Sequence, residues 1–95
     1  MTNTETESEE ELKRILHVED DEDVNVVALL ALADVGGFEV RQCANGDEAM
    51  AALKEFNPQL LVLDYMMPGG NGDEVWSNIQ KLPDYRDIPA VFLTA

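Results

Sequence analysis

Two short apolar runs end on carboxylates, and this pairing constrains the fold of the chain more than any other feature. Residues 15–18 are followed by the acids Glu19 and Asp20. Residues 60–63 are followed by Asp64. Runs of this length and composition are typical of strands that are buried on both faces of a parallel sheet. If the two strands are neighbours, their acids meet at the carboxyl edge, where open α/β sheets bind ligands.

Carboxylates gathered at one edge of a sheet repel each other. At an effective dielectric constant of about 20, two of them roughly 5 Å apart repel by about 3 kcal/mol, which corresponds to about two pKa units. Such a cluster either holds protons or recruits a hard divalent cation, and oxygen ligands suit Mg²⁺. We therefore expect Mg²⁺ at Glu19, Asp20 and Asp64. Asp21 is an alternative to Glu19 if the first strand ends one residue later.

Strand and helix patterns alternate along the chain. The patterns predict strands over residues 14–18, 38–43, 59–63 and 90–94, with helices over residues 21–35, 45–57 and 72–81 between them. This alternation predicts an α/β fold with a doubly wound, mostly parallel sheet. Residues 38–43 alternate with a period of two, as in an edge strand, and the strand order is therefore expected to be 2-1-3-4.

The apolar residues of each predicted helix recur at helical spacing. Gly36-Gly37 is expected to end the first helix, because glycine accepts the left-handed conformation beyond a helix end. The residues expected to share an inward face are Val24, Val27, Ala28, Ala31 and Val35 in the first helix, Ala49, Met50, Leu53 and Phe56 in the second, and Val75, Ile79 and Leu82 in the third.

Length and charge restrict the classes of protein to consider. The 95 residues allow one small domain, which we place at residues 13–95 after an acidic, disordered tail over residues 1–12. The net charge of −14 makes a nucleic-acid-binding surface improbable, because phosphates are repelled. The chain has no apolar run long enough for a membrane span and no secretion signal, and Cys43 is its single cysteine. These features favour the cytoplasm.

The ordered set of motifs resembles the receiver domain of two-component response regulators over residues 13–95. The matching elements are the pair Glu19-Asp20 after the first strand, Asp64 after the third, Met67-Pro68 with Gly72 downstream, and Thr94-Ala95 at the end of the fourth strand. Each motif alone is weak, but their order along the chain is specific. The resemblance implies a flavodoxin-like (βα)₅ fold.

The resemblance also implies roles for individual residues. Asp64 matches the aspartate that accepts a phosphoryl group from a histidine kinase or a phosphotransfer protein. Glu19 and Asp20 match the acids that bind Mg²⁺, and Met66 matches the residue whose backbone carbonyl joins them. Thr94 matches the hydroxyl residue that turns toward the phosphoryl group. A domain of this kind assists its own phosphorylation and is not a turnover enzyme.

The chain departs from the family pattern at its end. The family continues with a helix, a fifth strand with a lysine and a final helix, and this last βα unit is expected to be missing. A pseudo-receiver interaction module without phosphotransfer is therefore an alternative. A phosphatase with an aspartate nucleophile is disfavoured, because Met66 occupies the place of its acid/base residue. The open edge of strand 4 predicts a homodimer, a swapped assembly or a partly molten monomer.

Overall fold

A parallel sheet organises the molecule and confirms the predicted α/β class. The computed structural model describes residues 11–66 and 71–93, and within these ranges it contains β1 (Arg14–Val18), β2 (Glu39–Cys43), β3 (Leu60–Asp64) and β4 (Ala90–Leu93). The strands are parallel and follow the predicted order β2-β1-β3-β4. The strands β1 and β3 are therefore neighbours, and their carboxyl ends share one edge of the sheet.

Helices connect consecutive strands, as parallel pairing requires. The connections are α1 (Glu22–Leu29), which continues as a π-helical segment over Leu30–Val35, then α2 (Gly46–Phe56) and α3 (Gly72–Gln80). A short 3₁₀ turn at Pro83–Tyr85 precedes β4. Gly37 has a positive φ of 76°, so the expectation that glycine ends the first helix is confirmed at this residue.

The main core lies between one face of the sheet and the helices α2 and α3. On α2 the buried residues are Ala49, Ala52 and Leu53, at the spacing of one helix face. The prediction that Met50 points inward is wrong, since its side chain is 37% exposed. It follows Ala49 by one residue and so lies about 100° around the helix from it. The core residues include Leu16, Val18, Cys43, Leu61, Leu63, Val75 and Ile79.

The predicted inward face of the first helix is also wrong. Val24, Val27 and Val35 are 40%, 65% and 86% exposed, and no residue of α1 is fully buried. Residues 24–33 are apolar nearly all round the helix, so the periodicity did not distinguish one face. Below α1, the sheet residues Ile15 and His17 are buried nonetheless.

The segment before β1 is attached to the start of β3. Within residues 11–66, the side-chain oxygen of Gln59 accepts the backbone N–H groups of Lys13 and Arg14 at 2.7 and 2.9 Å. The Gln59 amide nitrogen donates to the carbonyl of Glu11 at 2.8 Å. Most of the predicted tail lies outside the described residues. Over residues 11–66 and 71–93, no helix has the length and apolar character that a membrane crossing needs.

Candidate metal site at the sheet edge

The structure brings together the three acids that were predicted from the sequence to form a cluster. Glu19 and Asp20 follow β1, and Asp64 is the last residue of β3. Each residue offers a carboxylate oxygen, and these three oxygens lie within 4.8 Å of one another. The cluster forms because β1 and β3 pair in parallel with Val18 opposite Leu63, so both chains leave the sheet at the same level.

Glu19 is the acid that the environment perturbs most clearly. Its side chain is only 5% exposed. The pKa of its carboxyl is raised to about 7, first by burial, then by a hydrogen bond with Asp64 and the negative charge of Asp64, with a smaller effect from Asp20. The Asp21 N–H, which donates to Glu19 Oε2 at 3.3 Å, opposes this increase. At neutral pH the cluster therefore holds a proton for part of the time.

Asp21 has a different structural role from Glu19 and Asp20. It is the N-cap of α1, with extended backbone angles. Its Oδ1 accepts the N–H groups of Asp23 at 2.9 Å and Val24 at 3.3 Å. Because β1 ends at Val18, Glu19 and not Asp21 belongs to the cluster, in agreement with the first of the two alternatives from the sequence.

Local backbone contacts hold Asp64 in place. Its Oδ1 accepts the Met66 N–H at 3.2 Å, which closes a turn directly after β3. Gly72, the first residue of α3, donates its N–H to the Tyr65 carbonyl at 2.9 Å. A Cβ atom at Gly72 would lie 2.5 Å from the Asp64 carbonyl oxygen, so only glycine fits here. This close approach explains physically why a glycine follows the acid in the motif.

Aromatic rings brace the chain next to Asp64. Tyr65 donates its N–H to the Leu93 carbonyl at 3.0 Å, and its ring meets Phe92 edge to face at 6.1 Å. Phe92 in turn meets Trp76 at 5.7 Å. These contacts link the ends of β3 and β4 to α3. The sequence alone indicates no role for these rings, because residues 65, 76 and 92 become neighbours only through the strand pairing.

Some predicted site residues are not placed. Thr94 and Met67-Pro68 lie outside the described residues, so their roles stay predictions. Met66 is described and 67% exposed, and the proposed role of its carbonyl as a metal ligand stays a prediction as well. Sequence reasoning missed Asn25, whose side-chain amide donates to the Glu19 carbonyl at 3.0 Å. The available signal was a lone amide within the apolar segment 24–33.

The donor set fits a hard divalent cation. Three carboxylates can offer oxygens within 4.8 Å of one another, and Mg²⁺ is bound through such oxygens together with water. Burial and the nearby carboxylates Asp64 and Asp20 raise the pKa of Glu19, so a positive charge at the cluster would be favourable. A bound cation would replace the proton that Glu19 otherwise holds.

A parallel sheet in the order 2-1-3-4, with acids at the switch point between β1 and β3, defines a receiver-type α/β domain. The family model described as response regulator receiver domain matches residues 15–95. The chain belongs to this family, whose members generally bind Mg²⁺ at an acidic pocket, and it is accordingly consistent with two-component signalling.

Individual relatives support the family assignment. The chain is 39% identical over 84 residues to the phosphate regulon transcriptional regulatory protein PhoB of Rhizobium meliloti, covering 88% of this chain and 37% of that protein. PhoB of Escherichia coli is 36% identical over 83 residues, covering 87% of this chain and 36% of the relative. The chain thus spans little more than a third of the length of these relatives.

Solved structures agree with the sequence relatives. One similar structure is the response regulator protein TrrA from Thermotoga maritima in complex with Mg(2+)-BeF. It is 34% identical with a TM-score of 0.77, and the match covers 88% of this chain and 70% of that chain. Vibrio cholerae chemotaxis protein CheY4 shows the same fold, with a TM-score of 0.80 and 24% identity. The match covers 86% of this chain and 68% of that one.

Proposed function

We propose that this chain is a phosphoacceptor in which Asp64 takes a phosphoryl group from a histidine kinase or a phosphotransfer protein in a Mg²⁺-dependent reaction. The observation that supports this proposal most is the cluster of Glu19, Asp20 and Asp64 around the carboxyl end of β3. An isolated turn aspartate would need no such neighbours. The relative TrrA, whose structure contains Mg(2+)-BeF, supports the same chemistry.

The proposed reaction is a displacement at phosphorus. An oxygen of the Asp64 carboxylate attacks the phosphorus of a phospho-imidazole, a P–O bond forms, and the P–N bond breaks. The imidazole nitrogen keeps the electron pair of the broken bond and takes up a proton. The product on this chain is an acyl phosphate. The donor is consumed once for each phosphoryl group transferred, so the chain acts as an acceptor and not as a turnover enzyme.

Electrostatics explains why the reaction needs a cation. A phosphoryl group is anionic and approaches three carboxylates, and the positive charge of Mg²⁺ offsets this repulsion when the ion is bound. The residues that would hold the ion are Glu19, Asp20 and Asp64. By the family resemblance, the backbone carbonyl of Met66 would join them.

The residues of the chain itself prepare the acceptor. The Met66 N–H holds Asp64 Oδ1 at 3.2 Å and so orients the carboxylate. Glu19 must release its proton before it can act as a metal ligand, since its pKa is about 7. By the family resemblance, the hydroxyl of Thr94 would turn toward the transferred phosphoryl group. The expected cytoplasmic location, inferred from the single cysteine, Cys43, is part of this proposal.

Intact-mass measurement with a small phosphodonor tests the proposal. The parent chain, incubated with acetyl phosphate, should gain one phosphoryl group with Mg²⁺ and none with EDTA. Asp64→Asn should gain none, because an amide is a poor nucleophile. Asp84→Asn, which changes an exposed acid in the 3₁₀ turn, is the matched control and should behave like the parent. A parent chain that never gains mass would instead favour the pseudo-receiver alternative.

A further inference from the structure

A half-buried asparagine in α1 holds the backbone of Glu19, the first acid of the cluster. Asn25 donates from Nδ2 to the carbonyl oxygen of Glu19 at 3.0 Å. A carbonyl oxygen can only accept, so this contact fixes which end of the Asn25 amide points at Glu19. The contact reaches back six residues, from the first turn of the helix to the loop after β1.

Gln42 in β2 holds Asn25 in turn. Its side-chain nitrogen donates to the backbone carbonyl of Asn25 at 2.7 Å and lies 3.5 Å from His17 Nδ1. His17 is fully buried, and Gln42 is paired with it across the strands β1 and β2. The neighbour of Gln42, Cys43, accepts the Glu19 N–H at 2.9 Å. Glu19 is therefore held by its N–H from β2 and by its carbonyl from α1.

The stability of the fold alone does not account for these polar groups. Two buried atoms of the network, His17 Nε2 and Asn25 Oδ1, have no hydrogen-bond partner among the described residues. A buried polar atom left in this state is costly, and apolar side chains of similar shape would avoid the cost. A polar network at this position therefore points to a task beyond packing.

We propose that Asn25 and Gln42 are positioning residues that fix the backbone of Glu19 and thereby set the Mg²⁺ affinity of the acidic cluster. The inference about affinity rests on the proposed function, whereas the positioning of Glu19 does not. Residues that orient a metal ligand from behind typically change metal affinity by about 10–100-fold when they are replaced.

The test compares Asn25→Leu and Gln42→Met with the parent chain. Both changes remove the amide donor, keep a similar size and leave the net charge unchanged. Gln80→Met is the matched control, since it removes an amide that donates to the Arg86 carbonyl at the far end of α3. Calorimetric titration with Mg²⁺, well below the unfolding temperature, measures the affinity of the folded protein, so a loss of stability alone leaves it unchanged.

We expect Asn25→Leu and Gln42→Met to weaken Mg²⁺ binding by about tenfold or more and Gln80→Met to leave it unchanged. In the metal-free protein, amide hydrogen exchange at Glu19 and Asp21 should become about tenfold faster in the first two variants, the factor for one lost hydrogen bond. Exchange at Leu61 in β3 should stay the same.

The two measurements, Mg²⁺ affinity and amide hydrogen exchange, distinguish a failure of the positioning proposal from a failure of the proposed function. Parent-like affinity and parent-like exchange at Glu19 in both variants would overturn the positioning proposal. If the parent itself binds no Mg²⁺, the metal step of the proposed function fails, and the exchange rates alone then decide whether Asn25 and Gln42 position Glu19. Weaker binding with unchanged exchange would show that affinity is lost by another route and would also overturn the proposal.

Discussion

The protonation of Glu19 gives the acidic cluster a pH dependence whose sign can be worked out. Its pKa in the folded protein is about 7, above the ordinary value of 4.5. As pH rises, the unfolded chain therefore loses this proton before the folded protein does. The stability that the protonated carboxyl contributes is complete below pH 4.5 and is lost as pH rises to about 7.

Replacing Glu19 with glutamine should remove this pH dependence. In the absence of metal, Glu19→Gln should gain stability relative to the parent between pH 4.5 and 7, by on the order of 2 kcal/mol at the upper end. Urea denaturation across this pH range measures the difference.

His17 changes stability with pH in the opposite direction. Burial lowers its pKa, so the stability that its neutral form contributes is lost as pH falls below 6.5. It is present in both proteins, so the difference between them isolates Glu19. Parallel stability curves for parent and variant would contradict the raised pKa.

Replacing the neighbouring acids Asp20 and Asp21 should have different effects, one on Mg²⁺ affinity and the other on stability. Asp21→Ala removes the N-cap and should cost about 1 kcal/mol of stability with little change in Mg²⁺ affinity. Asp20→Ala should weaken Mg²⁺ binding with little change in stability, because Asp20 belongs to the acidic cluster and does not cap the helix. Denaturation and Mg²⁺ titration of both variants provide the comparison, and equal effects on affinity would mean that Asp21 is a metal ligand.

At the scale of secondary-structure elements, buried strands were predictable and the orientation of the helices was less so. The bounds of β1 were predicted correctly because its short apolar run ends on charged residues. The face of α1 was not, since its sequence is apolar nearly all round and Val24 and Val27 are exposed. On α2, helical spacing alone predicted that Met50 points inward. The buried face of this helix instead includes Ala52.

Gly72, the first residue of α3, lies against the end of β3, and this position should tolerate no side chain. Replacing glycine with alanine in a helix normally stabilises by about 1 kcal/mol. At Gly72 the added Cβ would lie 2.5 Å from the Asp64 carbonyl oxygen, so Gly72→Ala should instead destabilise, by roughly 1–3 kcal/mol. Thermal denaturation tests the sign, with Ser77→Ala on the exposed side of α3 as the control. A more stable Gly72→Ala would refute the close packing.

At the scale of the whole molecule, the acidic site could be predicted and its supporting network could not. Glu19 and Asp64 meet because β1 and β3 are neighbours. The βα alternation and the edge character of residues 38–43, both visible in the sequence, predict that order. The link from His17 to Gln42 depends on the register of β1 against β2, which pairs residues far apart along the chain. Asn25 joins this pair only once α1 has packed on the sheet. No local pattern in the sequence encodes that combination.

The outer side of β4 should govern how this 95-residue chain associates. In the described part of the chain β4 pairs only with β3, and Val91 and Leu93 are 47% and 39% exposed. An apolar edge strand favours pairing with another chain. Sedimentation should therefore show a homodimer or a swapped assembly, or heat denaturation a broad transition. A monodisperse monomer with a sharp, concentration-independent transition would show this expectation to be wrong.

The measurement that tests the central claim most directly is the location of the phosphoryl group. An acyl phosphate is reduced by borohydride, which converts the acceptor aspartate to homoserine, and peptide mass analysis then identifies the residue. After incubation with acetyl phosphate and Mg²⁺, we expect homoserine at position 64 in the parent and at no position in Asp64→Asn. Modification at Glu19, Asp20 or His17 in place of Asp64 would contradict the account.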